Sequence, residues 1–187
     1  FIISNIFAQS ELSVIGGYNM SNISYNDADV VDLVNIFDRD GFNFGVESNT
    51  GSLIVGASFV QRGAELENEA FGFSGYEVYN YAALHLLYPI AMGSVLEGFG
   101  GLQAGFALGG ETHIEEMETT ENIDADEFGI DAGLLVGANF MLNESAGIRA
   151  SYYLGLSDVI KDLDEDLNYK NNTISLSLIF KGGFGAS

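Results

Sequence analysis

A chain of 187 residues with 27 acidic and six basic side chains carries a formal net charge of −21, yet 47% of it is hydrophobic. The absence of cysteine excludes a disulfide framework and a cysteine zinc site, and the shortage of cations excludes a phosphate-neutralising surface, and with it nucleic acid. Fourteen Phe and nine Tyr set the chain apart from disordered acidic proteins, so it folds, with its charges segregated from its apolar residues.

No run of about 18 consecutive apolar residues occurs, which excludes a transmembrane helix. Residues 1–8, FIISNIFA, are apolar and end on a small residue. They read as the residual tail of a secretory signal peptide, the alternatives being an ordinary first strand or a tag remnant. Apolar stretches with period-two patterning then alternate with polar connectors. The first, residues 11–25, sets Leu12, Val14, Tyr18 and Met20 against Ser13, Asn19 and Ser21. A long connector, 26–40, precedes a strand at 41–47 with Phe42, Phe44 and Val46 on one side and Asn43 and Glu47 on the other. Asn49-Thr50-Gly51-Ser52 has the composition of a tight turn. A third strand, 53–62, leads into a second long connector, 64–76.

The scheme repeats. Strand 77–88 ends at a turn running from Pro89 to Ser94, strand 95–108 follows, and 109–127 is the longest connector. Strand 128–141 places Phe128, Ile130, Ala132, Leu134, Val136, Ala138 and Phe140 on one face and Gly129, Asp131, Gly133, Gly137 and Asn139 on the other. Leu142-Asn143-Glu144-Ser145 is a short turn, 146–157 a strand and 158–170 the last long connector. Strand 171–181 alternates Ile174, Leu176, Leu178 and Phe180 with Ser175, Ser177 and Ile179.

Eight strands joined by three short and four long connectors in strict alternation describe an all-β, antiparallel up-and-down transmembrane barrel. Its short turns face the periplasm and its long loops face outwards. Lipid demands one apolar face per strand, and unpaired backbone in hydrocarbon demands closure. The charges agree. The four long connectors and their edges hold five, four, eight and five acidic residues, 22 of the 27, while the lipid-facing positions hold none. The barrel domain is read as 9–181 and residues 182–187 as a C-terminal tail.

Several segments resemble the small bacterial outer-membrane barrels, in particular the PorT-like barrels of Bacteroidetes. They are Val60-Gln61-Arg62-Gly63, Tyr79-Asn80-Tyr81, Leu96-Glu97-Gly98-Phe99-Gly100-Gly101, Phe128-Gly129-Ile130-Asp131-Ala132-Gly133, and the run from Gly147 to Leu156 around Arg149. The likeness covers nearly the whole chain after residue 8. It implies the fold and an outer-membrane location, and little about activity. Such barrels usually end on an aromatic residue; here Phe180 is followed by seven more residues, including Phe184.

On the lumen-facing register lie Glu47, Arg62, His85, Glu97, Gln103, Asp131, Arg149 and Tyr153. An eight-stranded barrel is narrow enough for side chains to fill it, and buried charges must pair. These residues are therefore expected to form a structural polar network, with Arg149 on Asp131 or Glu97. An active site or proton path is the competing reading. His85 and His113 make no catalytic pair, and Ser157-Asp158 has no His beside it in sequence. Residues 162–168 alternate oxygen ligands as a calcium loop does, but without its turn glycine or its bidentate Glu. No cofactor, catalytic residue or metal ligand is assigned.

The function expected is non-enzymatic: a structural or surface-interaction role, adhesion or binding, through the acidic loops 26–40, 64–76, 109–127 and 158–170. Outer-membrane lipid and lipopolysaccharide are the expected surroundings, with weak attraction of divalent cations to the carboxylates. The alternatives are a lipid-modifying outer-membrane enzyme and a soluble lipocalin-like barrel holding a small apolar ligand. Passive transport fits poorly, since eight strands leave no aqueous channel.

Overall fold

A ring of eight antiparallel strands closes on itself in the computed structural model, which describes residues 11–25, 35–68, 72–115, 118–160 and 169–182. The wall begins with β1 (Glu11–Tyr25), β2 (Asn35–Asn49), β3 (Ile54–Asn68), β4 (Phe73–Ala91) and β5 (Leu96–Ile114). A short β6 (Thr119–Ile123) folds back on the outer end of β5, and a 3₁₀ turn (Ala125–Glu127) leads to β7 (Ile130–Met141), β8 (Ala146–Gly155) and β9 (Tyr169–Gly182). Each wall strand pairs with its neighbours in sequence, β5 with β7, and β9 returns to β1 with Ile15 opposite Ile179. Closure gives every wall strand a paired neighbour on both sides, as spanning a bilayer requires.

The period-two pattern fixes which side faces lipid. Val14, Phe44, Val55, Leu84, Leu102, Val136, Ile148, Leu176 and Leu178 all point outwards and are exposed. Ser13, Asn19, Glu47, Arg62, His85, Gln103, Asp131, Asn139, Arg149 and Ser177 point inwards and are buried. This is the reverse of a soluble ligand-carrying barrel, in which bulky apolar residues fill the interior, so the lipocalin-like alternative does not fit. Phe42 and Phe44 each stack on Phe59, at 5.4 and 5.5 Å between ring centres, giving β2 and β3 a continuous aromatic outer surface.

The β2–β3 and β7–β8 connectors are where the sequence puts them, while the β4–β5 connector is shorter and later, at residues 92–95. In the β2–β3 turn Thr50 N–H donates to Leu53 O at 2.9 Å and Gly51 N–H to Asn49 Oδ1 at 2.8 Å. In the β7–β8 turn Asn143 Oδ1 accepts from the amides of Ser145 and Ala146. Side chains that imitate a turn carbonyl explain the Asn at both places.

The structure corrects four expectations. Strands run several residues past the membrane-spanning stretch, so most of 64–76 and 109–127 is paired strand and not loop. The hairpin ladder from Asn68 opposite Phe73 and the β5–β6 pairing satisfy backbone that polar side chains alone left undecided. Pro89 lies inside β4, opposite Phe99 of β5, and not in a turn. It is tolerated because β3 begins opposite Leu87, so beyond that point β4 has no β3 amide ladder to complete. Phe128, expected on the lipid side, is buried at the outer mouth, because the 3₁₀ turn and its isolated bridge to Ile160 break the alternation before β7 starts. Finally, β9 reaches Gly182, one residue into the assigned tail. The signal segment 1–8, residues 183–187, the loop acids at 27, 29 and 32, and the calcium-like stretch 162–168 lie outside the described residues.

An arginine on the lipid face at the midplane of such a barrel costs about 2–4 kcal/mol, and about 0–1 kcal/mol near the interface. Leu176→Arg, midway along β9, should lose the larger amount on folding into phospholipid vesicles, and Leu142→Arg, in a turn, the smaller. Guanidinium titration measures both, and equal costs would contradict the outward assignment of Leu176.

Candidate functional site

The narrow ring forces its inward side chains into contact, and glycines make the room. A Cβ on Gly56 would lie 2.3 Å from His85 Nε2, and one on Gly133 would lie 2.7 Å from Tyr153 Cζ. Large polar side chains can therefore lie flat across the bore where the neighbouring strand carries no side chain.

Two polar groups result. In the first, on the periplasmic half, Glu47 of β2 receives Arg149 of β8 through two parallel bonds, Nη1 to Oε1 at 2.5 Å and Nη2 to Oε2 at 2.8 Å. His85 Nε2 lies 2.8 Å from the same Oε1, without hydrogen-bond alignment. Arg149 Nε donates to Asn139 Oδ1 at 2.7 Å, and Asn139 Nδ2 donates to Glu97 Oε1 at 3.1 Å. The guanidinium also sits 4.6 Å over the Phe99 ring. In the second group, Arg62 of β3 pairs with Asp131 of β7, with side chains 1% and 0% exposed. Asp131 accepts further bonds from Tyr153 Oη at 2.6 Å and Asn171 Nδ2 at 2.9 Å. Arg62 lies 3.7 Å over the Tyr153 ring.

Arg149 thus takes Glu47 as its charge partner and reaches Glu97 only through Asn139, in place of the direct pairing with Asp131 or Glu97 expected from sequence. Asp131 belongs to Arg62. β2 and β8 stand three strands apart around the ring, so the pair spans the bore, and which side chains meet there depends on the closed ring and not on neighbouring strands. Sequence reasoning put Asn139 on the correct face but gave it no partner, and it missed Asn171 and Tyr81; Asn139 shares the parity of Asp131, the only signal available.

Apolar clusters close both mouths. Ile54, Leu87 and Phe99, with Leu135 against them, lie towards the periplasmic ends of β3, β4 and β5. At the outer mouth Ile23, Ala64, Tyr79, Tyr81, Phe128, Val159 and Tyr169 pack together. There the Tyr79 and Tyr169 hydroxyls lie 2.6 Å apart and both bond Glu77. Backbone bonds from Gly129 N–H to Val159 O and from Val159 N–H to Tyr169 O, each 2.9 Å, hold Val159 in the mouth.

Outside the bore, the strand ends beyond the membrane carry the acids. Asp38, Glu65, Glu67, Glu111, Glu115, Glu118, Glu121, Asp124, Asp126 and Glu127 stand here, against Arg39 and Lys170 as cations among the described residues. Arg39 is already engaged, 3.6 Å from Glu65 and 3.7 Å over the Tyr76 ring, which stacks in turn on His113 at 5.0 Å. His113 Nδ1 lies 2.8 Å from Thr120 Oγ1. Ser157 Oγ donates to Ile130 O at 2.6 Å and accepts from Ala132 N–H at 2.7 Å.

No protein-family model matches the chain, and no curated protein matches it in sequence. Solved structures do match in fold. The attachment invasion locus protein Ail of Yersinia pestis aligns with a TM-score of 0.55 at 19% identity, over 93% of this chain and 99% of that one. Neisserial surface protein A aligns at 0.56 and 11% identity, over 91% and 97%. The outer membrane protein OprG of Pseudomonas aeruginosa aligns at 0.54 and 14% identity, over 94% and 97%. At these identities the likeness carries the fold: that of the small eight-stranded outer-membrane β-barrels. With its apolar outer band and polar bore, the chain has the build of a membrane-spanning β-barrel.

Removing one partner of a buried, bidentate pair leaves an uncompensated charge and costs about 3–5 kcal/mol, whereas replacing both by apolar groups is often nearly neutral. Glu47→Ala should therefore destabilise the folded barrel by that amount, and Glu47→Leu combined with Arg149→Met by much less. Denaturant unfolding in vesicles measures both, and a double variant as unstable as the single one would contradict the pairing.

Proposed function

We propose that this chain is a non-enzymatic surface barrel that acts through its outer rim, binding cationic partners and divalent cations with the carboxylates at its strand ends and loops. The observation that carries this reading is the sign of the rim, with many carboxylates facing two cations among the described residues. Fields of one sign attract ligands of the other and speed their encounter, and salt weakens both effects. The closed bore supports the same reading, because it leaves the outer surface as the part free to act. Within the barrel class, the strand motifs around Arg62, Glu97 and Arg149 favour a PorT-like relationship. In the same proposal residues 1–8 are lost on export and the barrel, read as 9–181 and carried by β9 to Gly182, forms the working domain.

Ail has been solved with the heparin analogue sucrose octasulfate, a polyanion. The rim of the present chain has the opposite preference, since a sulfated ligand would meet carboxylates. Lipopolysaccharide contact then proceeds through bridging divalent cations. A lipid-modifying activity is disfavoured because the hydroxyl of Ser157 is engaged with backbone and His113 is held on Tyr76 and Thr120.

A lysine-rich peptide should bind the detergent-folded barrel with an affinity that falls as salt rises, and sucrose octasulfate should not bind. Changing Glu111, Glu115, Glu118 and Glu121 together to Gln should weaken the peptide several-fold. Calorimetry at two ionic strengths checks this. Preference for the polyanion, or affinity untouched by the four substitutions, would overturn the reading.

A further inference from the structure

Between the two ion-pair groups the bore leaves a cavity of about 50 Å³, walled by residues of both. Three polar atoms on its wall lack an aligned hydrogen bond within the protein: Arg62 Nε, His85 Nε2, which has the Glu47 carboxylate beside it at 2.8 Å, and Thr173 Oγ1. Their residues are 2%, 6% and 2% exposed. Arg62 Nε and Thr173 Oγ1 would be costly to leave unsatisfied, the charged guanidinium most of all.

We propose that this cavity is a resident water site, whose waters complete the bonds of Arg62, His85 and Thr173 and join the two ion pairs into one hydrogen-bonded unit. The volume suits it, since a water needs roughly 10–15 Å³ of such space, so about three to five fit. Polarity suits it as well: water donates and accepts, and the wall offers a guanidinium N–H, an imidazole nitrogen and a hydroxyl from three different strands. A small anion does not match, because the arginines on the wall already hold Glu47 and Asp131, and an added charge would enter uncompensated. An apolar occupant would leave Arg62 Nε and Thr173 Oγ1 without partners. The apolar clusters at both mouths make exchange with bulk solvent slow, so these waters are held and not merely passing.

The experiment uses the folded ¹⁵N-labelled barrel in deuterated detergent micelles. Water cross-peaks are expected at the Arg62 Nε proton and at the amide of Thr173, with the opposed NOE and ROE signs of long-held water. Thr173→Val keeps the side-chain shape and removes one partner. It should lose the cross-peak at residue 173 while the barrel stays folded. Xenon offers the contrary outcome, since it enters dry apolar cavities. Xenon-dependent shifts at the methyls of Ile15, Val60 and Leu135, with no water cross-peak at Arg62, would show a dry cavity and overturn the proposal. A water signal at residue 173 unchanged by Thr173→Val would overturn the part given to that hydroxyl.

Discussion

Inside a bilayer an amide has no water to bond, so each spanning strand must find a partner on both edges. Here that constraint is met by returning β9 to β1, and nearly every other feature follows from the ring being only eight strands around. The wall turns Leu, Val, Ile and Phe to lipid and its other face inward, into a space too narrow to hold bulk water. Side chains must fill that space, and those long enough to reach across it are the polar ones. Charges admitted to the bore have to be matched in place, which is what Glu47 with Arg149 and Arg62 with Asp131 accomplish.

The same constraint separates two chemistries along the strand axis. Within the membrane-spanning stretch the charges lie in the interior, and the outer face stays apolar up to Asp40 of β2, which accepts a bond from the outward Tyr18 hydroxyl. Past the outer end of that stretch the strands continue, but both faces meet water and the acidic residues gather there. The closed mouths, with Phe99 near one end and Phe128 and Val159 at the other, separate these regions. A molecule built this way has a structural interior and an outer surface free to act, which is why the proposed function rests on the rim.

Much of this was legible in the sequence because lipid enforces a strict period of two. The outward positions on β1, β7 and β9 could be read off directly, as could the inward Asp131 and Arg149. Where that enforcement stops, so does legibility. Above the membrane neither face of a strand has to be apolar, so the extended β3–β4 hairpin and the β5–β6 pairing looked like loops. Phe128 broke the pattern because a 3₁₀ turn precedes β7, and an apolar residue can be wanted in the plug as well as in lipid. Pro89 looked like a turn because the early end of its neighbour β3 is a property of the assembled sheet. Which acid Arg149 would meet depended on which side chains face each other across the closed ring, which the alternation along a single strand does not encode.

The closed, lipid-facing ring is tested most directly by folding residues 9–187 into detergent and running the product on a gel with and without boiling. A barrel held by its complete backbone ladder stays compact in the unboiled lane and migrates differently once heat opens it, and it remains in solution only while detergent is present. Identical mobility in the two lanes, together with solubility in plain buffer, would contradict the transmembrane barrel.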